Sequence, residues 1–303
     1  MSLDSDKLIS LADGRTLGYA ECGDPSGCPV VVFPDTPGSR LDLITLDYDR
    51  AAAQAGARVL VLERPGVGLS DPRPGRTILD WPVDVVGFAE ALGLSRFSVL
   101  GVAGGGPYAL ACSLRIPHRL KSVGIVAGMV PPDQPEARSA MTARQRTNVM
   151  YAQYFPWLLE QRVRRLGRQL MVGSEGVIER ELAGLAEVDR SLLAKAGVRA
   201  HRVAALRAGF RRGEAGPYHD LLLLSRPWGF DLAAIPMVVN LWFGGQDRTV
   251  PSTAGHYLGR ALGRSEARLY PDEGHFSLLW NRFGDVLGGL LATALREAGR
   301  PVG

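Results

Sequence analysis

The chain has 303 residues, 46% of them hydrophobic, with 35 basic side chains against 31 acidic ones and a formal net charge of +4. That length and apolar content can bury a large core, which excludes a disordered or fibrous protein and fits one enlarged domain or a core with an insertion. The basic residues are spread along the chain, with no basic run interleaved with aromatics, so nucleic acid is not an expected partner.

Residues 9–11 and 16–21 flank the turn signature Ala12-Asp13-Gly14-Arg15 and predict an N-terminal β-hairpin. Residues 29–33 form a continuous apolar run of the kind seen in strands buried on both faces, leading into Pro34-Asp35-Thr36-Pro37-Gly38-Ser39-Arg40. Helical spacing spans 41–54, a second buried strand spans 57–62, and a helix is expected over 79–92. Between 97 and 111 the chain reads F-S-V-L-G-V-A-G-G-G-P-Y-A-L-A. An apolar run, then glycines, then a helix-like segment make a strand, a very tight turn and a helix, with Ala103 at the apex. Another strand follows at 121–127.

This alternation predicts a parallel sheet with right-handed crossovers and a site beyond the carboxyl ends of its strands. The loops 34–40 and 63–71 and the glycine turn should therefore line one mouth. The pattern breaks at Pro131-Pro132-Asp133-Gln134-Pro135, and strand signals vanish from 137 to 230, where amphipathic helices begin at Trp157 and Glu179. The expected organisation is a core of 1–130 and 235–303 with a helical cap, 131–234, over the mouth. In that cap Arg162, Arg164, Arg165 and Arg168 read as a solvated helix face, while Tyr151, Tyr154, Phe155 and Trp157 either face the pocket or anchor the cap. Strands return at 237–243 and 267–270, with Gly244-Gly245-Gln246-Asp247-Arg248-Thr249-Val250-Pro251 after the first and Pro271-Asp272-Glu273-Gly274-His275 after the second, and a last helix covers 278–298.

The motifs at 34–40, 101–105, 244–251 and 271–275 together resemble those of the α/β-hydrolase superfamily. The resemblance implies an α/β fold: a mostly parallel twisted sheet flanked by helices, with an inserted helical cap. Its order of nucleophile, acid and histidine falls on Ala103, Asp247 and His275, and its oxyanion-hole amides fall on Thr36 and Gly104. Two departures stand out. Alanine occupies the serine position of the nucleophile elbow, and Pro34-Asp35 replaces the His-Gly usual before Thr-Pro-Gly-Ser-Arg. A carboxylate at Asp35 near the oxyanion hole would oppose developing negative charge, unless it points away or caps its own loop.

Three functions are compatible with these residues. One is a hydrolase of a small ester, lactone or amide acting through an acyl-enzyme, in which Ala103 is an engineered replacement for serine. The second is a natural, non-hydrolytic member in which His275, oriented by Asp247 and assisted by Asp35, acts as general base in an elimination, cyclisation, decarboxylation or retro-aldol step. The third is a catalytically inactive ligand-binding member.

No metal or other cofactor is expected, since His118, His201, His219, His256 and His275 show no paired ligand spacing. Cys22, Cys28 and Cys112 are too few for a disulfide framework and are expected reduced. With neither a leader pattern nor a long apolar run, a soluble cytoplasmic protein acting on a small molecule is the expectation, with no membrane partner and a homodimer left open. Abundant Arg, Ala and Gly with little Lys suggest a GC-rich bacterial genome.

Overall fold

Eight strands make a single sheet in the computed structural model, which describes residues 5–173 and 175–299. They are β1 (Lys7–Ser10), β2 (Thr16–Gly23), β3 (Cys28–Phe33), β4 (Ala57–Leu62), β5 (Phe97–Val102), β6 (Leu120–Val126), β7 (Val239–Gly244) and β8 (Ser265–Tyr270). Their spatial order is β1-β2-β4-β3-β5-β6-β7-β8. The N-terminal hairpin and the β2–β4 pairing are antiparallel, and every later pairing is parallel. The apolar runs of β3, β4 and β5 account for this arrangement. Val30, Val31, Val32, Leu60, Val61, Val99 and Leu100 have no exposed surface, because helices cover both faces of the parallel part.

Helices α1 (Leu46–Gln54), α2 (Trp81–Ala91) and α3 (Gly106–Arg115) follow β3, β4 and β5. Between β6 and β7 the chain builds α4 (Pro135–Ser139), α5 (Ala143–Tyr154), α6 (Pro156–Val172), α7 (Glu175–Ala183), α8 (Glu187–Leu193), α9 (Ala196–Gly209) and α10 (Ala215–Leu224), with no strand among the described residues there. This helical insertion has a small apolar cluster of its own around Val163, Leu170, Ile178, Leu206 and Phe210. Helices α11 (Ser252–Ala261) and α12 (His275–Ala298) complete the fold. Among the described residues no helix is long and apolar enough to cross a membrane.

Several element boundaries differ from the sequence reading by one or two residues, as where β8 begins at Ser265 rather than 267, and three differences have a physical reason. The segment 41–54 is not one helix. Ser39 and Asp42 form a capping box around a short 3₁₀ turn, Arg40–Leu43, and Thr45 then caps α1, its hydroxyl accepting from the Tyr48 N–H at 3.2 Å. Strand β7 starts at Val239 rather than Met237, where its register with Val123 and Ser265 begins. The last helix starts at His275, a turn earlier than expected, because a carboxylate from the insertion caps it there.

Candidate active site

Strand β5 runs into a 3₁₀ turn, Ala103–Gly105, and then into α3. Ala103 is buried and has φ of 45°, a left-handed conformation that costs an L-residue about 1–2 kcal/mol. A Cβ on Gly105 would lie 2.0 Å from the Phe33 carbonyl oxygen, so only glycine lets the turn close against the end of β3. The apex is thus held in the strained geometry of an elbow, yet it carries only a methyl group.

Asp247 follows β7 and His275 opens α12. Their side chains meet, His275 Nδ1 lying 2.7 Å from Asp247 Oδ2. The other carboxylate oxygen of Asp247 accepts the amides of Thr249 and Val250 at 2.7 and 2.8 Å, which fixes its orientation. Both residues are buried.

The second face of the imidazole meets Asp35, with 3.8 Å between His275 Nε2 and Asp35 Oδ2. Asp35 Oδ1 accepts the Thr36 amide at 2.6 Å and the Gly104 amide at 2.9 Å. These are the two N–H groups that the sequence resemblance assigns to an oxyanion. The Asp35 side chain does cap its own loop, and in the same position it takes the elbow amide as well. A carboxylate of this protein therefore occupies both of those donors.

The electrostatics follow from this placement. Burial alone would lower the pKa of His275, but the charge and hydrogen bond of Asp247, reinforced by Asp35, push it up to about 10. For Asp35, burial works toward a higher pKa, and the His275 imidazolium together with the Gly104 amide outweighs it and lowers the value. Both shifts favour the charged forms, a His275 imidazolium facing the Asp35 carboxylate.

Arg64, buried on the loop after β4, supports this loop from below. Its guanidinium donates to the carbonyls of Pro34 (2.7 Å) and Asp35 (3.0 Å) and to the Thr36 hydroxyl (2.7 Å). Its Nε, together with Arg76 Nη2, pairs with Asp220 of α10, whose carboxylate also accepts from the Tyr108 hydroxyl at 3.1 Å. Burial favours the neutral acid at Asp220, but the two arginines prevail and lower its pKa.

A pocket, partly open to solvent, lies against Asp35 and His275. Its walls are mainly apolar, supplied by Leu43, Tyr48, Leu192, Leu193, Phe276 and Trp280, among others. Asp42, His201 and Arg202 add a polar patch, in which burial pushes the Asp42 carboxyl up to about 7 despite the nearby Arg202. The aromatic residues singled out in the insertion are not part of it. Tyr154, Phe155 and Trp157 are 63%, 44% and 55% exposed, on the outside where α5 meets α6. Arg162, Arg164, Arg165 and Arg168 are exposed as expected.

Sequence reasoning missed Arg64, Arg76, Asp220, Asp42, Arg202 and Asp189. Arg64 sits in a loop already assigned to the mouth, a positional signal. Asp189 and Asp220 carry none, since nothing in an amphipathic helix pattern says that one of its acids turns inward.

A family model described as alpha/beta hydrolase fold matches residues 29–282. The chain is 29% identical to a proline iminopeptidase of Xylella fastidiosa over 116 residues, 37% of this chain and 36% of that protein, so the match spans about a third of that relative's length. Among solved structures, a hydrolase from Pseudomonas aeruginosa superposes with a TM-score of 0.67 at 19% identity, covering 96% of this chain and 98% of its own. A thermophilic esterase from Thermogutta terrifontis gives 0.64 at 19% identity, covering 97% and 100%.

Proposed function

This chain belongs to the alpha/beta hydrolase fold family, and from that premise we propose that it catalyses proton transfer on a small, largely apolar carbonyl compound without an acyl-enzyme. One observation carries this: Asp35 Oδ1 accepts both the Thr36 and the Gly104 amide. A carbonyl oxygen could use those donors only by displacing the half-buried Asp35 carboxylate, and Ala103 offers no atom to attack it.

In this scheme Asp35 Oδ2 takes a proton from a substrate C–H or O–H. From a C–H, the bonding pair left behind moves onto the adjacent carbonyl oxygen; from an O–H, the pair forms a new C=O while the neighbouring C–C bond breaks and its pair moves onto that carbonyl oxygen, to which the His275 Nε2–H donates in either case. Elimination, decarboxylation, cyclisation and retro-aldol cleavage all fit that exchange. The base role passes from His275 to Asp35, because the two flanking carboxylates keep the imidazole protonated. Asp247 holds the imidazole's orientation, and the insertion, 131–234, closes the mouth as a lid that excludes water. The apolar walls of the cavity suit a substrate with little polar surface beyond the reacting group.

The left-handed backbone at Ala103 favours a second reading, in which the elbow serves acyl transfer when serine occupies it. One experiment separates the two. The protein is incubated with a panel of β-keto acids, β-hydroxy ketones and short-chain esters. The proton-transfer scheme expects turnover of a carbonyl substrate that is lost in Asp35→Asn and in His275→Ala and is kept in Ala103→Ser. Efficient ester hydrolysis by Ala103→Ser with Asp35 still in place would overturn it.

A further inference from the structure

Asp189 lies in the first turn of α8, inside the helical insertion, and has no exposed surface. Its carboxylate is the acceptor for three consecutive backbone amides at the start of α12. Oδ2 takes the His275 N–H at 2.7 Å, and Oδ1 takes those of Phe276 and Ser277 at 3.0 and 2.9 Å. Those N–H groups have no partner within their own helix, and a negative charge is favoured at that end of the helix dipole. The lack of a side chain at Gly274 leaves room for this carboxylate, since a Cβ there would sit 2.3 Å from Asp189 Oδ2.

We propose that Asp189 is a positioning residue for His275, through which the insertion sets where the imidazole stands. The inference rests on the proton-transfer reading for the importance of His275, but not for the geometry. Two features support it beyond the capping itself. Residues Leu192 and Leu193 of the same short helix line the cavity, so a molecule pressing on that wall presses on the element that holds the histidine's backbone. The imidazole's own partners, Asp247 and Asp35, stand on loops of the core, so the side chain is fixed from the core while its backbone is fixed from the insertion. A shift of α8 would move one anchor of His275 and leave the other in place.

The test needs no substrate. Hydrogen exchange of the His275, Phe276 and Ser277 amides and the downfield imidazole Nδ1–H resonance are followed by NMR in the unsubstituted protein, Asp189→Ala, Asp189→Asn and Arg212→Ala. Arg212→Ala removes a different contact between insertion and core, the 2.9 Å pair of Arg212 with Asp71. In Asp189→Ala, protection of all three amides should fall by at least about tenfold, as expected for hydrogen bonds to a charged acceptor, and the imidazole signal should broaden. Asp189→Asn keeps one acceptor oxygen for Phe276 and Ser277, so its loss should be confined to His275. Should Asp189→Ala fail to fold, that confined loss decides the matter alone. Arg212→Ala should leave both signals unchanged. Unaltered His275 protection and imidazole signal in a folded Asp189 variant would overturn the proposal, as would the same losses in Arg212→Ala. Failure of the proton-transfer reading shows elsewhere, as turnover that survives His275→Ala.

Discussion

Asp35 Oδ2 and His275 Nε2 stand 3.8 Å apart, too far for a direct hydrogen bond and close enough for one substrate atom or water to touch both. The pair joins two loops that are 240 residues apart in sequence numbering, from 35 to 275. It is also anchored on both sides, Asp35 by two amides and His275 by Asp247.

Restoring a serine alone should not create an esterase. With Asp35 on the Thr36 and Gly104 amides, a tetrahedral oxyanion in Ala103→Ser has no donors, and loss of such donors costs about 10²–10³ in rate for each one removed. The double variant Ala103→Ser/Asp35→Gly frees both amides. It should exceed either single variant in hydrolysis of p-nitrophenyl acetate by at least about a hundredfold, read as initial rates.

Stability should fall as the solution becomes alkaline. The His275 pKa is raised in the folded state to about 10, from an unfolded value near 6.5, so its stabilising contribution is complete below about pH 6.5 and is lost as pH rises through 10. Denaturant titrations between about pH 7 and pH 10 should show unfolding free energy declining by at most about 1.4 kcal/mol per pH unit. The decline should be shallower in Asp35→Asn. Asp42, raised to about 7 by burial, acts in a lower window and does not obscure this one.

Replacing the apex alanine by glycine should stabilise the protein. Ala103 has φ of 45°, where the Cβ costs about 1–2 kcal/mol, whereas glycine's extra unfolded-state entropy costs roughly 0.5–1 kcal/mol. Ala103→Gly should therefore gain on the order of 0.5–1 kcal/mol in chemical denaturation and leave proton-transfer turnover unchanged.

Asp220 pairs with both Arg64 and Arg76, all three being buried. Asp220→Ala leaves two cations in the interior without their partner and should destabilise by about 3–5 kcal/mol, measured as a lower unfolding midpoint. Because Arg64 also holds the Pro34 and Asp35 carbonyls, the same variant should lose turnover before it loses its fold.

Much of this molecule could be read from its sequence because the relevant signals are local. Short, predominantly apolar stretches set β3, β4 and β5. The glycines at 101, 104 and 105 set a turn that no larger residue could make, and the loops after the strands marked the residues that meet at the mouth. Asp247 and His275 were legible for the same reason, each following a strand end in a known order.

What the tertiary structure decided was where charged side chains point. Asp35 had two readings in sequence, a loop cap or a charge at the site, and in the fold it is both, because the Thr36 and Gly104 amides converge on one point. The start of α12 at His275 depends on Asp189, and the loop after β3 depends, through Arg64, on Asp220, each supplied by a helix more than eighty residues away along the chain. Periodicity tells which face of a helix is apolar. It does not tell which acid on that helix will find unpaired amides or arginines after packing, since that depends on a close approach that no local pattern encodes.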